Sequence, residues 1–220
     1  MGATINKNDY YMISEYINKG SLFDYIHVQK GKFKDQEQLT IAYEIAIALK
    51  YLHSRKILHC DLKSSNILID DNWKIKISDF GLSRIKNLLT LQENKGRIGT
   101  PHWMAPEIMK GNVYQEASDI FSYGMILWEI VTFEIPYYGL SQYQILGIVA
   151  DCKKIVEVPK KINPVLLKII KQCLSYEVRE RPSLDMIIKK LEKNIDKSQT
   201  HGNLEIKIDY LTDEIYNFVC

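Results

Sequence analysis

The sequence predicts an α+β domain that is mostly helical. Strand candidates are confined to the part of the chain before residue 80, where short apolar or β-branched runs occur at residues 10–13, 67–69 and 75–77. Residues 82–112 contain several glycines and prolines and have no sustained period, which indicates a long loop. Helical periods follow that loop. This order excludes an alternating βαβ sheet.

The helices are predicted from their periodicity and their start signals. Ser21 is suited to cap a helix that runs through Val28. A longer helix is expected at about residues 35–54, where apolar residues cover so much of the circumference that burial against more than one neighbour is predicted. Further helices are expected near residues 115–132, 141–150, 163–174 and 183–194.

Composition restricts the class of protein. A net charge of +2 gives no reason to expect nucleic acid or an anionic membrane as a partner. The most apolar run, residues 120–131, is interrupted by Glu129 and is too short to span a bilayer, so a core helix is predicted. The four cysteines form no CxxC pair, which argues against a zinc site or a disulfide framework and favours a cytoplasmic location.

Three short motifs follow one another along the chain. They are His59-Cys-Asp-Leu-Lys-Ser-Ser-Asn66, Asp79-Phe-Gly81 and Ala105-Pro-Glu107. Each is weak alone, but the set in this order resembles the eukaryotic protein kinase family. The resemblance implies a kinase-like large lobe with a hinge and a remnant of the small lobe. It also implies transfer of the ATP γ-phosphoryl group to a protein substrate, with ATP and Mg²⁺ as cofactors.

The resemblance gives four polar residues a role. Asp61 would accept or orient the substrate hydroxyl, and Lys63 would neutralise charge that develops on the transferred group. Asn66 and Asp79 would supply the hard oxygen ligands that suit Mg²⁺.

Residues 13–22 resemble the hinge strand and the turn into the next helix. Backbone groups around Glu15 to Ile17 would then bond the adenine, and Leu68 would pack under it. Ser14 would be a small gatekeeper at the back of the pocket. Alternatively, Ser14 is simply a small polar residue that ends a strand.

Residues 99–107, together with Lys63, narrow the resemblance to the tyrosine-kinase-like group, whose members mostly phosphorylate Ser and Thr. Thr100 would then bond toward Asp61 and Lys63 and help to place the acceptor.

Two further contacts are implied by the resemblance. Asp119 would hold the backbone of the catalytic loop, the segment at residues 59–66 that contains the first motif, by hydrogen bonds. Arg181 would pair with Glu107, with Arg179 as the second candidate partner.

Cys60 departs from the family pattern, because arginine usually stands between the equivalents of His59 and Asp61. A thiol offers no charge to a phosphorylated loop. We therefore expect activity to depend weakly or not at all on phosphorylation of the loop, in which Ser83 and Thr90 are the hydroxyl candidates between Leu82 and Gly99. A buried structural cysteine is favoured over a redox switch.

The sequence contains no glycine-rich loop and no small-lobe lysine before the hinge. Residues 1–194 are therefore expected to form an N-terminally incomplete kinase domain, with the remnant and hinge at 1–18, the large lobe at 19–194 and a tail of unknown role at 195–220. The strand at residues 10–13 is expected to lack its sheet neighbours.

Three functions stay open at this point. The first is a Ser/Thr protein kinase, which the intact Asp61, Asn66 and Asp79 favour. The second is a pseudokinase or scaffold that binds partners without catalysis. The third is a piece that regulates a full-length kinase by competing for its partners.

Overall fold

The structure, a computed structural model, describes residues 2–6, 9–13, 15–85 and 99–196. It begins with an antiparallel pair, β1 (Gly2–Asn6) and β2 (Asp9–Ile13), in which Gly2 lies opposite Ile13. The strand predicted at residues 10–13 is therefore present. The expectation that it lacks a neighbour is wrong, because β1 pairs with it along its whole length and bonds the backbone groups on one of its edges.

The helices and strands that follow β2 form in the order that the sequence predicts. A short helical segment begins with two α-helical residues, 22–23, and continues with wide π-type turns over Asp24–Val28. The remaining elements are α1 (Asp35–Ser54), β3 (Ile57–Leu58), β4 (Ile67–Ile69), β5 (Ile75–Ile77), β6 (Arg84–Ile85), α2 (Pro106–Met109), α3 (Glu116–Thr132), α4 (Gln142–Leu146), α5 (Pro164–Cys173) and α6 (Leu184–Glu192).

Local hydrogen bonds explain where the first helices begin. Ser21 Oγ accepts a hydrogen bond from the N–H of Asp24 at 3.1 Å, which confirms the predicted cap. At the start of α1, the Glu37 carboxylate accepts from the N–H of Lys34 at 2.7 Å. Each bond satisfies or orders a backbone group at the point where the chain enters the helix.

The core is built around α1 and α3. Helix α1 packs against α6, β5, α3 and β3, so the predicted burial against several neighbours is confirmed. Helix α3 is buried continuously from Ser118 to Ile130, as predicted for a core helix, and packs on α1 and α5. No helix among the described residues is long and apolar enough to cross a lipid bilayer.

Two predicted segments differ from the structure. The loop expected at residues 82–112 contains the two-residue strand β6, which pairs with β3 although no strand was expected after residue 80. It also contains α2, a single turn that begins with Pro106; both elements have too few residues to show a period. The helix expected at residues 141–150 consists of α4 followed by a wider π-type segment, Gly147–Asp151.

Candidate active site

A loop of eight residues, 59–66, connects β3 to β4 and carries the first motif. Its beginning is fixed by Asp119 of α3, a fully buried carboxylate. Asp119 Oδ2 accepts a hydrogen bond from the N–H of His59 at 3.0 Å, and Oδ1 accepts from the N–H of Cys60 at 3.2 Å. The contact that the resemblance implied is thus confirmed.

Two side chains complete the shell around this carboxylate. His53 Nε2 lies 2.8 Å from Oδ2, and the Tyr114 hydroxyl donates to Oδ1 at 3.1 Å. Burial by itself raises the pKa of Asp119, but the hydrogen bond and charge of His53, with a contribution from His59, outweigh it and hold that pKa below its usual value.

We predict that Asp119→Asn lowers the free energy of unfolding by about 1–3 kcal/mol near neutral pH. A carboxamide has one acceptor oxygen for these donors, whereas the carboxylate has two. Because the pKa of Asp119 is depressed in the fold, its contribution is present above the pKa of an unfolded Asp, about 3.9, and is lost as the pH falls through the folded value. Urea unfolding measured from pH 7 to pH 3 should show the difference between the variant and the wild type shrinking; a constant difference would contradict this.

The carboxylate of Asp61 lies in a compact polar cluster. Lys63 Nζ donates to Asp61 Oδ2 at 2.7 Å and to Thr100 Oγ1 at 2.9 Å. The backbone N–H and the hydroxyl of Thr100 both donate to Asp61 Oδ1 at 2.8 Å. The structure therefore brings these three residues together, as the sequence predicts for Thr100.

Asn66 and Asp79 lie at adjoining ends of the β4–β5 hairpin. Ile67 pairs with Ile77, and the N–H of Ser78 donates to the carbonyl of Asn66 at 2.9 Å, so the residue after Ser78 lies beside Asn66. The Asn66 amide Nδ2 donates to the carbonyl of Asp61 at 2.9 Å, which leaves its oxygen as the free end of the side chain. Asp79 is exposed and has a left-handed φ of 62°, and its Oδ1 accepts from the N–H of Gly81 at 3.3 Å.

The residues predicted to contact adenine border the same hairpin. The Glu15 carboxylate lies 2.6 Å from Lys76 Nζ on β5. Leu68 is half-buried on β4, where it forms a bridge with Ser21. The carbonyl of Ile17 accepts from the N–H of Gly20 at 3.4 Å, in the turn that precedes this bridge. Ser14, the predicted gatekeeper, lies outside the described residues, as does Thr90.

The segment that follows Thr100 is fixed to the rest of the domain by a buried ion pair. Arg181 and Glu107 form two parallel hydrogen bonds of 2.7 Å. The Arg181 side chain is fully buried, whereas Arg179 is exposed, so Arg181 is confirmed as the partner of Glu107. The guanidinium also donates to the carbonyls of Ala117 and Ser175 and lies over the ring of Phe121.

Cys60 is buried, and its Sγ lies 3.6 Å from the carbonyl of Leu58. Burial raises the pKa of the Cys60 thiol far above its usual value, and the nearby Asp119 carboxylate adds to that effect. Since a thiolate is the reactive form of cysteine, this environment fits the predicted structural cysteine better than a redox switch.

We predict that one thiol reacts rapidly with an aromatic disulfide reagent in a Cys220→Ser background. Cys152 is exposed, whereas Cys60 and Cys173 are buried and burial raises the pKa of both. The two buried thiols should react only as fast as the domain unfolds. Adding Cys152→Ser should remove the fast phase; two fast thiols in the background chain would contradict the prediction.

Sequence reasoning treated Glu129 only as an interruption of an apolar run, and it missed the structural role of this residue. The side chain is fully buried and accepts a hydrogen bond from Ser64 in the loop of residues 59–66. The available signal was the charge itself, because a glutamate in an otherwise apolar helix is almost never fully buried without partners.

Comparison with known proteins decides the family. A family model described as protein tyrosine and serine/threonine kinase matches residues 1–191. The chain belongs to the protein kinase family. The resemblance stated from the three motifs is therefore confirmed.

Three relatives place this kinase domain more closely. It is 37% identical over 192 residues to the serine/threonine-protein kinase CTR1 and 34% identical over 206 residues to the probable serine/threonine-protein kinase SIS8. It is 35% identical over 185 residues to the serine/threonine/tyrosine-protein kinase HT1. All three are from Arabidopsis thaliana, and they support the tyrosine-kinase-like group.

These alignments cover most of the kinase domain but only part of each relative. They include 86%, 93% and 84% of this chain for CTR1, SIS8 and HT1, respectively. They span 23%, 20% and 47% of the relatives' own lengths, so the chain covers less than half of each.

Proposed function

We propose that this kinase domain transfers the γ-phosphoryl group of ATP to Ser or Thr hydroxyls of protein substrates, in a signalling role. The observation that carries the proposal is the cluster in which Asp61 lies between the Lys63 ammonium and the Thr100 hydroxyl. A carboxylate in this setting can orient a substrate hydroxyl and receive its proton. The adjacent ammonium supplies positive charge where negative charge develops during the transfer.

The donor set at the hairpin fits Mg²⁺. One carboxylate, from Asp79, and one amide oxygen, from Asn66, are hard ligands on neighbouring chain segments. No group of three or more His, Cys, Asp or Glu side chains suited to a metal occurs in the described part of the chain. The arrangement agrees with a metal that is held by one or two protein ligands and completed by the phosphates of ATP, whose charge it would neutralise.

The ATP site is proposed around residues 15–17 and Leu68. Backbone groups of Glu15 and Ile17 would bond the adenine, Leu68 would pack under it, and Ser14 would act as the gatekeeper. We also propose a cytoplasmic location and a kinase domain at residues 1–194, followed by a tail at 195–220. Within this domain, residues 1–18 would form the small-lobe remnant and the hinge, and residues 19–194 the large lobe.

The test is the transfer of labelled phosphate from ATP to a generic basic protein. Transfer should require Mg²⁺, should stop when the metal is chelated, and should be about 10²–10⁴-fold slower in Asp61→Asn. Phosphoamino-acid analysis should find label on Ser and Thr. Absence of transfer while protein partners still bind would contradict the proposal and favour the pseudokinase or scaffold alternative. Label confined to Tyr would contradict the assignment of Ser and Thr as acceptors.

A further inference from the structure

Helix α3 carries two carboxylates that are fully buried, Asp119 near its first turn and Glu129 near its last. Ten residues of helix separate them, a distance of about 15 Å along the axis. A buried carboxylate is stable only when hydrogen-bond donors surround it. Asp119 accepts hydrogen bonds from the backbone at the beginning of the catalytic loop. The donors to Glu129 therefore identify the segments that are fixed to the other end of α3.

Glu129 is surrounded by groups from three separate parts of the chain. Ser64 Oγ donates to Oε1 at 2.7 Å, and His27 Nε2 lies 2.8 Å from the same oxygen. Trp103 Nε1 donates to Oε2 at 3.0 Å. Glu129 therefore joins the helical segment after residue 20, the catalytic loop and the segment that carries Thr100.

The Ser64 contact fixes the far end of the catalytic loop. Ser64 is fully buried and begins the short helical turn Ser64–Asn66, directly after Lys63. Asp119 holds the N–H groups at the beginning of the same loop. Asp61 and Lys63 thus lie on a stretch of chain that α3 holds at both ends.

The Trp103 contact fixes the segment that supplies Thr100 to the cluster of Asp61, Lys63 and Thr100. Trp103 is buried three residues after Thr100, and its backbone N–H donates to the carbonyl of Thr100 at 3.1 Å. Its own carbonyl accepts from Ser122 Oγ of α3 at 2.9 Å. One carboxylate is therefore bonded to both segments whose side chains meet at Asp61.

We propose that Glu129 is a positioning residue, which sets the distance between the catalytic loop and the segment of Thr100 by bonding Ser64 and Trp103 at once. The proposal deepens the proposed function and rests on it for the kinetic effect. A displacement of about 1 Å in a reacting group can cost on the order of 100-fold in rate. Loss of either bond should therefore lower kcat more than it changes the KM for ATP, whose proposed adenine site at residues 15–17 and Leu68 includes neither Ser64 nor Trp103.

The test uses two variants of the full chain that each remove one donor. Ser64→Ala removes the hydroxyl, and Trp103→Phe keeps an aromatic ring but removes the N–H. In each variant Glu129 retains its other two contacts, so no buried charge is left without a partner. Tyr123→Phe is the matched control, because Tyr123 is also fully buried on α3 and its hydroxyl donates at 2.9 Å to the carbonyl of Ala42 on α1, away from the loop.

Both variants should lower kcat about tenfold with little change in the KM for ATP. Hydrogen exchange of the amides in residues 59–66 and 99–104 should become about tenfold faster, with α1 and α5 unchanged. The control should change neither quantity.

Unchanged exchange in both segments for both variants, or equal acceleration in Tyr123→Phe, would overturn the proposal. If the wild-type chain transferred no phosphate, the proposed function would fail, and the exchange data would still decide whether Glu129 holds the two segments together.

Discussion

Replacing Asp61 with Asn is expected to slow phosphoryl transfer about 10²–10⁴-fold, the range lost with a general acid–base group. Asn has nearly the same shape as Asp, so the side chain can remain between Lys63 and Thr100. It cannot receive the proton of the substrate hydroxyl, and it leaves the Lys63 ammonium, 2.7 Å from the original carboxylate, without its counter-charge. Initial rates of labelled phosphate transfer at saturating ATP provide the measurement.

Asp185→Asn is the matched control for this experiment. Asp185 also pairs with a lysine, Lys50, but the pair lies on the surface, where 75% of the Asp185 side chain is exposed. Exposed pairs contribute little, so the control should retain the wild-type rate. A rate for Asp61→Asn within a few-fold of the wild-type rate would show that Asp61 is not a catalytic residue.

Arg181→Ala and Glu107→Ala should each lower the free energy of unfolding by about 3–5 kcal/mol, because the remaining charge stays buried without its partner. Arg181→Ala removes two hydrogen bonds to Glu107, two hydrogen bonds to backbone carbonyls and the contact with the ring of Phe121. Glu107 also accepts a hydrogen bond from Ser118 Oγ at 2.8 Å, which would lose its acceptor. Urea unfolding at neutral pH measures the loss.

The double variant tests whether the two residues act as a pair. Removing both charges should cost less than the sum of the single losses, since neither charge is left alone. Arg179→Ala, at an exposed position two residues away, should change stability by no more than about 0.5 kcal/mol. Additive losses, or a loss for Arg181→Ala as small as that of Arg179→Ala, would contradict the prediction.

The elements that were predictable from the sequence are those with a repeated local signal. Helix α1 has apolar residues over several turns, and β4 and β5 have β-branched residues at alternating positions. By contrast, α2 is one turn long, and β1 is defined by its pairing with β2. Neither a single turn nor a pairing partner produces a period in the sequence.

The candidate site was predictable as a set of residue types, and less so as a set of contacts. The motifs and the resemblance identified Asp61, Lys63 and Thr100, and the structure brings those three together. The role of Glu129 could not be inferred in this way. Its contacts are with His27, Ser64 and Trp103, which lie 102, 65 and 26 residues away along the chain, so only the folded structure reveals them.

The Glu107–Arg181 pair has a consequence for the order in which the domain can mature during synthesis. The two residues lie 74 positions apart. At about 5–20 residues per second, the ribosome makes Arg181 about 4–15 s after Glu107. Throughout that interval the segment containing Thr100 lacks the Arg181 guanidinium that binds Glu107. We therefore expect the cluster of Asp61, Lys63 and Thr100 to form only after α6 begins to leave the ribosome. Because α6 also packs on α1, a nascent domain of this kind would complete its core and the geometry of this cluster at the same late stage.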